Sequence, residues 1–369
     1  MKNYIFITIL VAIFFGVMAG LAGQIISRYY LSDDLDRFSL TREFDLLEGR
    51  SNLIIRDPRK VVVSQDAKIE ETKEVINSSF FKLYNLDVLT SDYLFLDEPL
   101  SLAMAISSDG WMMANLDDNL ENYSDEEILE NFKIICSDRS IYSLLEYKFF
   151  QKSDLNLFFF RVENLNNLKV LDTAEISNLQ SAQSLLAYKG ENKVALASLI
   201  DHGFKNEIFS SDSFNRDLSI KTNENFKNNS FIFDLSGDFV GYIDSQEQFY
   251  PAIILEIYWR TFLSENEIKE PFLGIHYLNL SYVKFLENNY NRGAMIYGSP
   301  DFPAFLENSP AKDLGLIEGD VISEINGLQI NSNLDLSDHI LSLNTGDEII
   351  LNYYRQGEKG QVEIILKEK

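Results

Sequence analysis

Read from its amino terminus, the chain opens with an uncharged apolar run, "YIFITILVAIFFGVMAGLAGQII", from Tyr4 to Ile26. A run of that length can cross a hydrocarbon core of roughly 30 Å, so a transmembrane helix is expected within residues 1–30. Residues 31–77 read as a polar juxtamembrane linker holding Pro58, a valine run and a helical pattern from about Asp66 to Ile76. From Phe80 to about Phe262, short apolar runs alternate with turn residues; "FFKLYNL", "SLAMAIS", "GWMMANL", "LNLFFFRV", "SLLAYKG", "KVALASLI", "SFIFDL" and "DFVGYI" are examples. Aromatic and β-branched residues crowd these runs, as a pleated buried surface favours, and the turn spacing predicts an antiparallel sandwich or barrel. Around "LSENEIKEPF" the pattern changes to mixed α and β, with a helix near "LDLSDHILSL". Its period places Leu334, Ile340, Leu341 and Leu343 inward, and Asp335, Asp338 and Ser342 outward. The expected organisation is an anchor over 1–30, a linker over 31–77, a mainly β unit over 78–265 and an α+β unit over 266–369.

Charge narrows the partners. A net charge of -25 leaves no basic stripe to neutralise phosphates, which argues against nucleic acid. The same field disfavours docking on anionic lipid through basic patches, so the apolar run is the expected membrane contact. Lys2 lies before that run and the acidic "SDDLD" follows soon after Arg28, which favours a single pass with the body on the extracytoplasmic side. A cleaved signal peptide is the alternative, because "GLAG" offers small residues near a cut, but the apolar run continues past it. Cys136 is the sole cysteine and is expected on a buried strand, so an intramolecular disulfide or a cysteine-rich zinc site is excluded. No H-E-x-x-H, phosphate loop or G-x-G-x-x-G occurs, and neither metal nor cofactor is expected.

The segment "NSPAKDLGLIEGDVISEINGLQI", residues 308–330, has chemistry readable on its own terms. Gly315 suits a helix C-terminus, Gly319-Asp320 a turn into a strand, and Asn326-Gly327 a type I′ hairpin. The whole pattern resembles the core of the PDZ domain found in Deg/HtrA proteases. Such domains add a peptide as an extra strand beside a helix, with backbone amides receiving its carboxylate. The resemblance puts that role on Phe272, Leu273, Gly274 and Ile275 of "PFLGIHYL", with Tyr277 on the following strand and Ile340 and Leu341 as the opposite wall.

A PDZ domain of this type behind a β region implies a trypsin-like double β-barrel. "ISSDGWMMANLDD", "KSDLNLFFFRVEN" and "FDLSGDFVGYI" resemble three family stretches in the right order. The catalytic residues do not carry over. Serine attack needs a base beside the hydroxyl, yet the match places Asp117 where the family has histidine, and Asp154 where it has the orienting aspartate. An aspartate is only weakly basic near neutral pH. Counting back from Gly237 puts Asn228 at the nucleophile position, and a two-residue deletion would put Ser230 there. Phe231 and Ile232 then replace the glycines whose turn frees amides for an oxyanion hole. His202, His276 and His339 are the only histidines, and none matches a catalytic position. The resemblance therefore implies a membrane-anchored, cell-envelope pseudoprotease that captures peptides or protein C-termini in a quality-control or regulatory role. A homotrimer or assembly with an active paralogue would be its oligomeric form. An active serine endopeptidase with an atypical site and a structural envelope tether are the alternatives.

Overall fold

In a computed structural model, the described residues are 65–369 apart from 88–92, 117–119, 121–122, 137, 153, 166, 205–206 and 285–289, together with the side chains of Gln65, Asp66 and His202. The expected anchor, most of the linker and Asp117 lie outside the described residues. Among the described residues no helix is long and apolar enough to cross a membrane.

The first strands close on themselves. β1 (Phe80–Asn85), β2 (Ser101–Ala105), β3 (Trp111–Asn115), β4 (Phe132–Ile135), β5 (Ile141–Lys152) and β6 (Leu155–Val162) form a barrel in the order β1-β2-β3-β6-β5-β4. β6 shows why its sequence is apolar almost throughout. Phe158, Phe160 and Val162 fill the barrel, while the alternate Leu155, Leu157 and Phe159 face outward into a second apolar cluster. Side chains alternate across a strand, so a strand covered on both faces loses the polar half of its pattern.

The second sheet holds β7 (Ser184–Tyr188), β8 (Val194–Phe204), β10 (Arg216–Lys221), β11 (Ser230–Phe233), β12 (Phe239–Ile243) and β13 (Phe249–Pro251). Its order is β10-β8-β7-β11-β12-β13, an open sheet, so only the first half of the expected double barrel closes by strand pairing. A helix at Ala252–Glu265 then packs between the lobes, where the expected pattern was strand. Its sequence "AIILEIYWRTFLSE" is apolar on several faces because the helix is covered from several sides, and Phe262 stacks on Phe159 at 4.4 Å between ring centroids. "SDEE", expected as a solvated loop, instead starts the helix Asp125–Asn131. Ser124 and Glu127 cap it reciprocally, satisfying amides that the first turn leaves without partners. Cys136 follows β4 and is half-buried rather than within a buried strand.

The carboxy-terminal sheet runs β20-β19-β17-β16-β15-β9, with β18 on β17. Its strands are β15 (His276–Asn279), β16 (Ala294–Ile296), β17 (Val321–Ile325), β18 (Leu328–Gln329), β19 (Glu348–Arg355) and β20 (Glu358–Ile365). The remaining member, β9 (Phe209–Ser210), comes from the loop between β8 and β10 of the preceding lobe. Asn326 and Gly327 both take positive φ, 50° and 81°, and turn β17 directly into β18, as the type I′ reading requires. The helix Leu336–Leu341 departs from its expected polarity. Asp335 and Asp338 are buried rather than outward, because the face they occupy is covered by Arg216 of β10 and by β15.

Candidate functional site

Ser230 begins β11, a strand held between β7 and β12. Its residue is fully buried, and its hydroxyl donates to the Asn228 carbonyl at 2.9 Å. Phe231 and Ile232 follow in regular register with both neighbouring strands, so the backbone here continues a ladder rather than making a glycine-rich turn. Asn228 is exposed, and its side-chain oxygen accepts from Lys189 at 2.9 Å. Asp154 sits exposed in the β5–β6 turn. The Tyr250 phenol, pushed up to about 12 mainly by burial, feels its charge together with that of Asp244.

The histidines are elsewhere. Tyr188 pairs with both Phe231 and Val194, so Val194 stands level with the start of β11. His202 lies eight residues further along β8, with β7 between the two strands; at 3.3 Å per residue that offset is roughly 26 Å. His276 and His339 belong to the carboxy-terminal sheet and its helix, and a His276 ring nitrogen lies 2.6 Å from the Pro303 carbonyl.

A neutral polar chain occupies the space between the two β lobes. Asn115, at the end of β3, donates to the Tyr242 hydroxyl at 3.4 Å, and Tyr242 donates to Asn229 at 3.1 Å. Asn115 also accepts from the Asn156 amide at 2.9 Å. Asn115, Tyr242 and Asn229 line a cleft of about 400 Å³ together with Lys82, Lys189 and Lys193 and the acidic Asp97, Glu98 and Glu191. Amides and a phenol can orient a bound chain, but none is a base near neutral pH. Nothing local in the sequence marks this trio, since its members come from three separate strands or turns.

The segment expected to receive a peptide carboxylate is more fully built. Gly274 has φ of 75°, and a β-carbon there would lie 2.7–2.8 Å from the Phe272 ring and the Ser309 side chain. Only glycine fits such a bend without strain. The bend turns three amides the same way. Leu273 N–H donates to Asp212 Oδ1 at 2.6 Å, Gly274 N–H to Asp212 Oδ2 at 3.0 Å, and Ile275 N–H to the Ser211 hydroxyl at 3.1 Å. Burial pushes the Asp212 carboxyl above its ordinary value, against the downward pull of the Leu273 and Gly274 amides, Ser211 and Lys369. Next to this loop, β9 pairs with β15, Ser210 against His276 and Phe209 against Tyr277.

Tyr277 is buried, its hydroxyl donating to Asp335 at 2.5 Å. Asp335 also accepts from Asn279 at 2.8 Å, and burial pushes its carboxyl up to about 6. Ile340 packs in the same apolar cluster as Phe209, Leu273 and Ile275. Leu341, expected on the groove wall, packs instead with the cluster around Phe262 and Leu255, because the helix is sandwiched between groove and lobe. Phe272 lies on the short strand β14 (Pro271–Phe272), paired with β21 (Lys367–Glu368) near the end of the chain. Among the described residues no cluster of His, Cys, Asp or Glu is arranged to hold a metal ion.

Residues 289–366 are matched by a family model described as "PDZ domain". The Serine protease Do-like HtrA of Lactococcus lactis subsp. lactis (strain IL1403) is 26% identical over 110 residues, 28% of this chain and 26% of that protein. The match thus spans about a quarter of the curated relative's length. Among solved structures, the HtrA-type protease AlgW with decapeptide gives a TM-score of 0.44 at 13% identity, covering 81% of this chain and 98% of that one. The serine endoprotease from Yersinia pestis gives 0.37 at 15% identity, covering 81% and 97%. The chain is therefore similar to PDZ domains in its carboxy-terminal unit and, over a stretch of 110 residues, to an HtrA-type serine protease.

Proposed function

We propose that this chain is a membrane-anchored, cell-envelope protein of HtrA type that holds peptides or protein C-termini in its carboxy-terminal groove and does not hydrolyse them. The observation that carries the binding role is the convergence of the Leu273 and Gly274 amides on one carboxylate, with Ile275 beside them on a hydroxyl. Successive amides turned to one side form a concavity suited to an anionic chain end. The absence of hydrolysis is supported by the buried Ser230, whose hydroxyl is engaged by the Asn228 carbonyl and whose strand lacks the glycine-rich turn. The apolar run Tyr4–Ile26 supports the anchor, with the body on the extracytoplasmic side. Work in quality control or regulation follows, through capture of envelope-protein C-termini and through homotrimers or co-assembly with an active paralogue.

The binding role is tested with an array of peptides carrying free carboxy termini beside the same sequences amidated, probed at high concentration with the full chain in detergent. Binding confined to free termini is expected. Equal retention of amidated peptides would remove carboxylate capture as the function of the groove.

A further inference from the structure

The edge of β15 is already paired by a segment of the same chain. Phe209 and Ser210 add antiparallel to the edge of β15, and the Ser211 amide continues the pairing by donating to the Ile275 carbonyl at 3.0 Å. Asp212 follows with its carboxylate on the Leu273 and Gly274 amides. An extended strand ending in a carboxylate gripped by backbone amides is the arrangement by which a sheet-edge groove takes a peptide end. Here a side-chain carboxylate takes the part of the terminal one.

The segment is held firmly. Phe209 is buried among Ile340, Leu273 and Tyr277, with its ring edge-on to Tyr277 at 5.6 Å. Asn215 accepts from the Ser210 amide at 3.1 Å and donates to the Ser210 carbonyl at 2.8 Å, which fixes the turn after the strand. Lys369 donates to the Asp212 carbonyl at 2.8 Å. The same loop then enters β10, where Arg216 pairs with Asp338 in the first turn of the groove helix.

We infer that residues 209–212 are a cis-bound ligand that closes the groove, so that a peptide carboxylate from another chain binds only by displacing them. This inference rests on the groove being a peptide site. It adds that occupancy from outside must release the β8–β10 loop of the neighbouring lobe, which makes that loop the reporter of capture. A ligand that needs a minor open state binds more weakly by the fraction of open molecules. Two hydrogen bonds to a charged acceptor shift such an equilibrium by about tenfold or more.

The probe is a synthetic peptide of residues 207–212, "EIFSSD", with a free carboxy terminus, because a copy of the cis segment must compete with it. The full chain and its Asp212→Ala variant are titrated with labelled peptide, and hydrogen exchange is followed at residues 209–211 and 273–275. Binding about tenfold or more tighter to the variant is expected, with exchange at 273–275 faster in the free variant than in the free wild type. Equal affinities, or unchanged exchange in the variant, would overturn the inference. Faster exchange without any peptide binding would uphold the cis contact and defeat the peptide-capture reading instead. Should the variant fail to fold, the wild type alone decides. Saturating peptide must speed exchange at 209–211, and binding that leaves those amides protected refutes displacement.

Discussion

Replacing Arg216 with alanine is expected to lower the free energy of unfolding by about 3–5 kcal/mol, the range for removing one member of a buried ion pair. Arg216 and Asp338 have side chains only 3% exposed, and the guanidinium donates to Asp338 Oδ2 at 2.6 Å. It also donates to the Asn333 carbonyl at 2.9 Å and lies 5.4 Å from the centre of the Phe204 ring. Alanine would strand a carboxylate in a buried interface beside Asp335, whose own carboxyl is already hard to ionise. Because much of the loss comes from an uncompensated charge, the paired replacement Arg216→Met with Asp338→Leu should recover part of it, less the acceptor that the Asp335 amide loses. Chemical denaturation of the three proteins measures this. A loss under about 1 kcal/mol for the alanine variant would mean that water reaches Asp338 and that the interface is not dry.

Gly274→Ala is expected to cost about 2–4 kcal/mol, from a positive φ that disfavours a side chain and from forced contacts in a packed site. The closest atoms are the Phe272 ring at 2.7 Å and Ser309 Cβ at 2.8 Å, and Ser309 cannot retreat easily. Its hydroxyl donates to the Leu273 carbonyl at 3.0 Å and accepts from the Lys312 amide at 3.3 Å, capping the helix Pro310–Asp313. The same shift would tilt the Gly274 amide away from the carboxylate it holds. Denaturation should therefore show the stability loss, and exchange should quicken at residues 273–275. A variant as stable as wild type, with those amides still protected, would mean that the bend relaxes without opening the groove.

What was legible in the sequence was local. Asn326-Gly327 and Gly315 after its short helix each carry their own backbone demand, so the turns follow from residue type. The strands of both lobes were readable from their aromatic and β-branched runs and the turn residues between them, which are also properties of neighbouring residues. Side-chain placement that depends on another lobe was not readable. Asp335 and Asp338 look like the wet face of a helix until Arg216 and Tyr277 arrive from elsewhere. The helix Ala252–Glu265 lacks a polar stripe because it is covered on several sides, which makes its sequence resemble a buried strand. Asp212 stands in "SSDSF", an unremarkable polar loop, and its partners lie some sixty residues away at Leu273 and Gly274. Asn115, Tyr242 and Asn229 meet in the same way, by fold rather than by spacing.

Peptide holding without hydrolysis is tested most directly by incubating the purified full chain with casein, beside its Ser230→Ala variant, and resolving the products over time. The expected result is intact casein in both samples, because Ser230 is a buried hydroxyl engaged by the Asn228 carbonyl. Casein fragments that form with the wild-type chain and vanish with the variant would contradict it.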